Sequence, residues 1–118
     1  MCKAKEYIKQ ISNIYDNMQK EYKNLSTENS KTDLMMQDIL HKIEFENFNA
    51  CEGYKLAKQI KDVRAERRQY KNELEAMQSL MDSIKPTIKT IKKVEGKVIE
   101  IERKQKAKTY KPRVLKAQ

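Results

Sequence analysis

The chain has little that would let it turn often. In 118 residues there are two glycines and two prolines. Folds built from many short strands need such punctuation at every connection. What remains possible is a few long helices, and 36% of the residues are charged, as a solvated helical surface requires. Tryptophan is absent, histidine occurs once and cysteine twice, so no metal-site spacing can be assembled. No apolar run approaches the roughly 18 residues of a membrane span, and no signal-peptide core is present. A cytoplasmic protein with reduced thiols is expected. P-loop, GxGxxG, HExxH and nucleophile-elbow patterns are all missing. His41 and Cys51 are the one conceivable nucleophile pair, and no orienting group accompanies them. The residues therefore nominate no catalytic group, no metal and no cofactor, and binding is the expected activity.

What the chain does have is two apolar seams. Leu56, Ile60, Val63, Arg67, Tyr70, Leu74, Met77, Met81, Ile84, Ile88 and Ile91 recur at alternating steps of four and three. Ile8, Ile11, Tyr15, Met18, Tyr22, Leu25, Asn29, Thr32, Met36, Ile39 and Ile43 do the same. Such spacing is that of helices packed lengthwise. The seams are mirror images about the Asn49–Ala50 junction: Ile43 falls opposite Leu56, Met36 opposite Val63, Leu25 opposite Leu74, Met18 opposite Met81. The fold predicted is mainly α, a long antiparallel two-helix hairpin resembling a coiled coil. Helix one spans 3–46, a turn 47–53 uses Asn and Gly for the reversal, and helix two spans 52–85. Asn29 and Thr32 then face Arg67 and Tyr70, a polar layer on a polar layer, with Asp33 and Glu28 the nearest carboxylates to Arg67. The alternative is that residues 26–30, rich in Ser, Thr and Asn, break the first helix. Cys2 and Cys51 would lie at opposite ends of helix one and could not bridge within the hairpin.

Pro86 is expected to end or kink helix two. Beyond it, Ile88, Ile91, Val94, Val98 and Ile101 continue an apolar stripe, which predicts a third helix over 87–106. The β-branched residues and Glu95-Gly96 leave a β-hairpin as the alternative. Residues 107–118 read as an extended basic tail, docked through Tyr110, Val114 and Leu115 or else disordered. So small a core predicts self-association, most simply a two-fold dimer.

The net charge is +9, and all of it lies at the carboxyl end: residues 1–84 carry 14 basic and 14 acidic side chains, residues 85–118 carry 12 and 3. That asymmetry predicts an anionic partner. The candidate contacts are Tyr110, Lys111 and Arg113 in the tail, Arg103 and Lys92 in the third element, and Arg68 with its neighbours Arg64 and Arg67 on helix two. A ring to stack on a base and guanidinium groups to grip phosphate suit a nucleotide. Lys55, Lys58, Lys61, Arg64, Arg68 and Lys71 read as a basic band on the outer side of helix two, for which the competing reading is a solvated, ion-paired helix face.

Four stretches carry a resemblance: Asp38-Ile39-Leu40-His41-Lys42-Ile43-Glu44, Glu52-Gly53-Tyr54-Lys55-Leu56-Ala57-Lys58, Arg64-Ala65-Glu66-Arg67-Arg68 and Tyr110-Lys111-Pro112-Arg113-Val114. Together, over most of the chain, they resemble small Firmicutes phage and prophage proteins, and among these the Thoeris anti-defence family of sponges. The resemblance implies a protein in the host cytoplasm that binds a cyclic ADP-ribose signal and holds it without cleaving it. It also implies an oligomer built on dimers, pockets between subunits and Arg113 as a phosphate contact. Two other functions fit the residues: a basic helical binder of nucleic acid or ribonucleoprotein, such as a CRISPR inhibitor, or a plain coiled-coil interaction module.

Overall fold

The computed structural model describes residues 2–107. They form two helices, α1 (Lys3–Phe45) and α2 (Ala50–Ala107), and no strand occurs among the described residues. The helices fold back on each other as an antiparallel hairpin, a rod of 103 × 21 × 17 Å.

The reversal is shorter than 47–53. Glu46 leaves α1 in an extended conformation, and Asn49 already caps α2. The Glu52 backbone amide donates to Asn49 Oδ1 at 2.8 Å, and the Asn49 side-chain amide reaches back to the Glu52 carboxylate at 3.5 Å. The exchange resembles the reciprocal capping pattern that starts a helix. Gly53 is thus helical, with no positive φ, and is not a turn residue. It packs closely under Phe48: a Cβ there would meet the exposed Phe48 ring at 3.3 Å, a tight contact that the ring would have to ease by a small shift.

The α2 seam is the one the spacing predicts. Every seam position from Leu56 to Ile91 is buried or half-buried, with Leu56, Val63 and Ile88 the deepest. On α1 one position differs: Ser12 is half-buried and Ile11 is turned out. A helix of 3.6 residues per turn drifts by about 20° per heptad against a 3.5-residue seam. At the open end of the hairpin that drift has swung Ile11 aside. Residues 26–30 do not break α1. Their hydroxyls bond within the helix: Thr27 and Ser30 donate to Lys23 and Ser26 carbonyls at 3.0 and 3.1 Å, and Thr32 to Glu28 at 2.9 Å. Bonds of this kind to the carbonyl four residues earlier satisfy the hydroxyl within the helix, at a slight cost in stability.

The largest correction concerns Pro86 and the residues beyond it. No third element exists among the described residues; α2 runs through Pro86 to Ala107, and the hairpin alternative at Glu95-Gly96 is not formed. Pro86 sits on the exposed outer side of α2, and a proline there leaves the carbonyl four residues earlier without its helical hydrogen bond. The heptad past it also differs from the apolar stripe. Val98 and Glu102 take the seam, whereas Val94 and Ile101 are exposed. Replacing Pro86 with Ala should raise hairpin stability by about 2 kcal/mol, part of the ~3 kcal/mol a helix-interior proline costs. Chemical denaturation followed by helical ellipticity would show it; an unchanged or lower midpoint would mean α2 is broken at Pro86.

Candidate functional site

Between the mid-hairpin seams lies the polar layer. Arg67 pairs with Asp33 of α1 at 2.5 Å. Thr32 is 3% exposed, and Asn29 Oδ1 is buried without a hydrogen-bond partner. The Tyr70 hydroxyl donates to Glu66 at 3.4 Å; burial, with Glu66 and Glu28 close by, raises its pKa. A buried asparagine in a seam lowers stability but penalises slipped registers, in which it would face Leu or Ile. Such a layer favours one alignment of the two helices over slipped ones.

A second cross-hairpin pair closes the open end, where Lys5 of α1 meets Glu102, which Lys106 also reaches at 3.4 Å. The Lys5 hydrogen bond holds the Glu102 carboxyl below its ordinary value of 4.5, and in return raises Lys5 above 10.5. The depressed Glu102 contributes stability that is present at pH above 4.5 and is lost as pH falls through the lower folded value. The raised Lys5 contributes below pH 10.5 and fails only above it. Both groups are solvent-accessible, so the effect is small and screened by salt. Glu102→Gln should flatten the acid limb of the unfolding profile while leaving neutral-pH helicity intact. An acid limb that keeps its slope in this variant would show that the pair contributes nothing.

Charge is sorted across the rod as well as along it. Arg64, Arg67, Arg68 and Lys71 line one groove, with Asn72 and Glu75. A groove on the other side is lined by Met35, Asp38, Asp62 and Glu66 beside Ile39 and Val63. The seven-residue repeat carries each side along the rod. On the Arg64 side α2 presents Lys61, Arg64, Arg68 and Lys71, then Lys85, Lys89 and Lys92, all exposed. The opposite side has Glu21, Glu28, Asp38, Asp62, Glu66 and Glu73 in its middle. The hairpin thus has a basic side and an acidic side.

No protein-family model, curated protein or solved structure matches the chain.

Of the six residues singled out from the sequence, Arg68, Lys92 and Arg103 are exposed on the basic side of α2. They do not converge: at ~1.5 Å per residue Arg68 lies about 36 Å from Lys92 and about 52 Å from Arg103. Tyr110, Lys111 and Arg113 fall outside the described residues. Sequence reading placed Lys61 and Lys71 in the basic band of helix two and missed only that Lys85 and Lys89 continue it. The signal was available, because they recur with Arg64 and Arg68 at seven-residue offsets. Among the described residues no group of three His, Cys, Asp or Glu side chains could hold a metal, and no helix is long and apolar enough to cross a membrane.

Proposed function

We propose that this chain is a non-enzymatic binding protein whose basic side grips the phosphate backbone of a duplex nucleic acid. The spacing of its two cation clusters carries this reading. The cluster of Lys61, Arg64, Arg68 and Lys71 and the cluster of Lys85, Lys89 and Lys92 are centred about 23 residues apart, or ~34 Å along a straight helix. One turn of B-DNA is ~34–36 Å. A rod laid along the duplex would meet the same face of the backbone twice. Glu75 and Asp82 lie between the clusters, where the backbone curves away from such a rod. Contacts of this kind fix orientation and carry no sequence information.

Binding of a 30-base-pair duplex, followed by fluorescence anisotropy over a range of salt, tests this. Seven phosphate contacts predict a log–log slope of about −6. Affinity that is flat with salt, or no binding at low salt, overturns it.

A second reading rests on the resemblance to the Thoeris anti-defence sponges: a phage protein that sequesters a cyclic ADP-ribose signal without cleaving it. The groove of Arg64, Arg67, Arg68 and Lys71 gathers enough cations for a diphosphate. It is open, so a second subunit would have to complete the pocket. Calorimetric titration with cyclic ADP-ribose isomers separates the two: saturable binding near one site per subunit or dimer, with little salt dependence, favours the sponge.

A further inference from the structure

The acidic side of the rod changes character toward the open end. From Ala76 to Val94 that side of α2 carries Leu80, Ser83, Thr87 and Thr90 and no charge. Opposite it, α1 presents Tyr7, Gln10, Ile14 and Asn17, with Ile11 turned out beside them. In a chain with 36% charged residues, and with Lys85, Lys89 and Lys92 directly behind, an uncharged strip of this length is a distinct surface. Tyr7, Ile14 and Leu80 are 63%, 59% and 45% exposed on it.

We infer that this strip is the interface with a second copy of the chain, packed two-fold with the open halves overlapping and the hairpin turns pointing in opposite directions. Three observations lead there. The single hairpin is under-packed, since no side chain among the described residues is fully buried. Two long helices alone rarely bury enough apolar surface to be stable. The strip, ~27 Å long at ~1.5 Å per residue and as wide as the 21 Å rod, would bury roughly 1,100 Å² in total, near the lower limit for a specific interface. Charge then selects the orientation. Hairpins aligned in parallel would stack Glu21, Glu28, Glu66 and Glu73 on their own copies. Opposed hairpins carry Glu28, Glu66 and Glu73 away from the overlap and leave Glu21 at its edge, off its own copy. A surface that contacts itself in this way is what two-fold symmetry requires. The basic sides of both copies stay outward, so the dimer stands or falls independently of the nucleic-acid reading.

The test is sedimentation equilibrium of the full chain from 1 to 100 µM. A concentration-dependent dimer is expected. The Ile14→Asp/Val94→Asp double variant should weaken it at least ten-fold, and the outer-side Leu34→Asp control should leave it unchanged, with helicity of each checked by circular dichroism. A second measurement fixes the symmetry: in a Cys2→Ser/Cys51→Ser background, Thr87→Cys, close to the two-fold axis, should oxidise to a covalent dimer and Arg68→Cys should not. A chain that stays monomeric at 100 µM overturns the inference. So does a dimer indifferent to the double variant, or one that crosslinks through Arg68→Cys instead.

Discussion

Val63→Asp is expected to unfold the hairpin. Val63 is 6% exposed in the α2 seam and lines one groove with Met35 and Ile39 of α1. The substitution removes an apolar contact and places a carboxylate where no cation stands opposite. The nearest arginine, Arg67, is already paired with Asp33. Burying an unpaired charge and losing the packing together cost about 4 kcal/mol or more, a large part of the 5–15 kcal/mol that hold a typical domain together. Helical ellipticity at 25 °C should fall sharply. Leu34→Asp, on a side chain 60% exposed, should change little and serves as the control. A Val63→Asp protein with an unchanged thermal midpoint would mean that the two helices are not packed along this seam.

The second large effect is on binding. Changing Arg64, Arg68 and Lys71 together to Gln should lower duplex affinity about 100-fold at low salt and reduce the salt slope by about 2.7, since each phosphate contact contributes ~0.9. The three side chains are exposed and make no ion pair among the described residues, so helicity should be preserved. Arg67 is left in place because its loss would strand Asp33. The matched control is Lys31, Lys42 and Lys55 to Gln, three cations of the opposite side. Both variants remove the same charge. If they weaken binding equally, only net charge matters and the basic side is not a site; if the first alone does so, placement matters.

Most of the hairpin is legible without any coordinates. Long helices follow from two glycines and two prolines, and the antiparallel packing of one helix on the other follows from two mirrored seams. Apolar spacing is a strong signal because a side chain on the wrong face of a helix meets water. The misreadings share one cause. Pro86 and Gly53 have local preferences, as breaker and turn former. Each local preference amounts to a few kcal/mol at most, and the surrounding helix outweighs it. The candidate site is less legible. Three of its six residues are exposed on one side of α2, yet they are strung along some 50 Å of helix, because a long helix spreads its side chains instead of gathering them.

By itself, then, the sequence determined that the described chain is helical, that it folds back near Asn49, and which face of each helix is covered. It could do so because burial periodicity and capping act over a few residues at a time. Only the tertiary structure decided that α2 passes through Pro86, that Ser12 displaces Ile11 from the seam, that Asp33 and not Glu28 pairs with Arg67, and that Lys5 meets Glu102. It also separated a basic side from an acidic and uncharged one. Those outcomes depend on where one helix lies against the other, and a residue's neighbours in sequence carry no record of that.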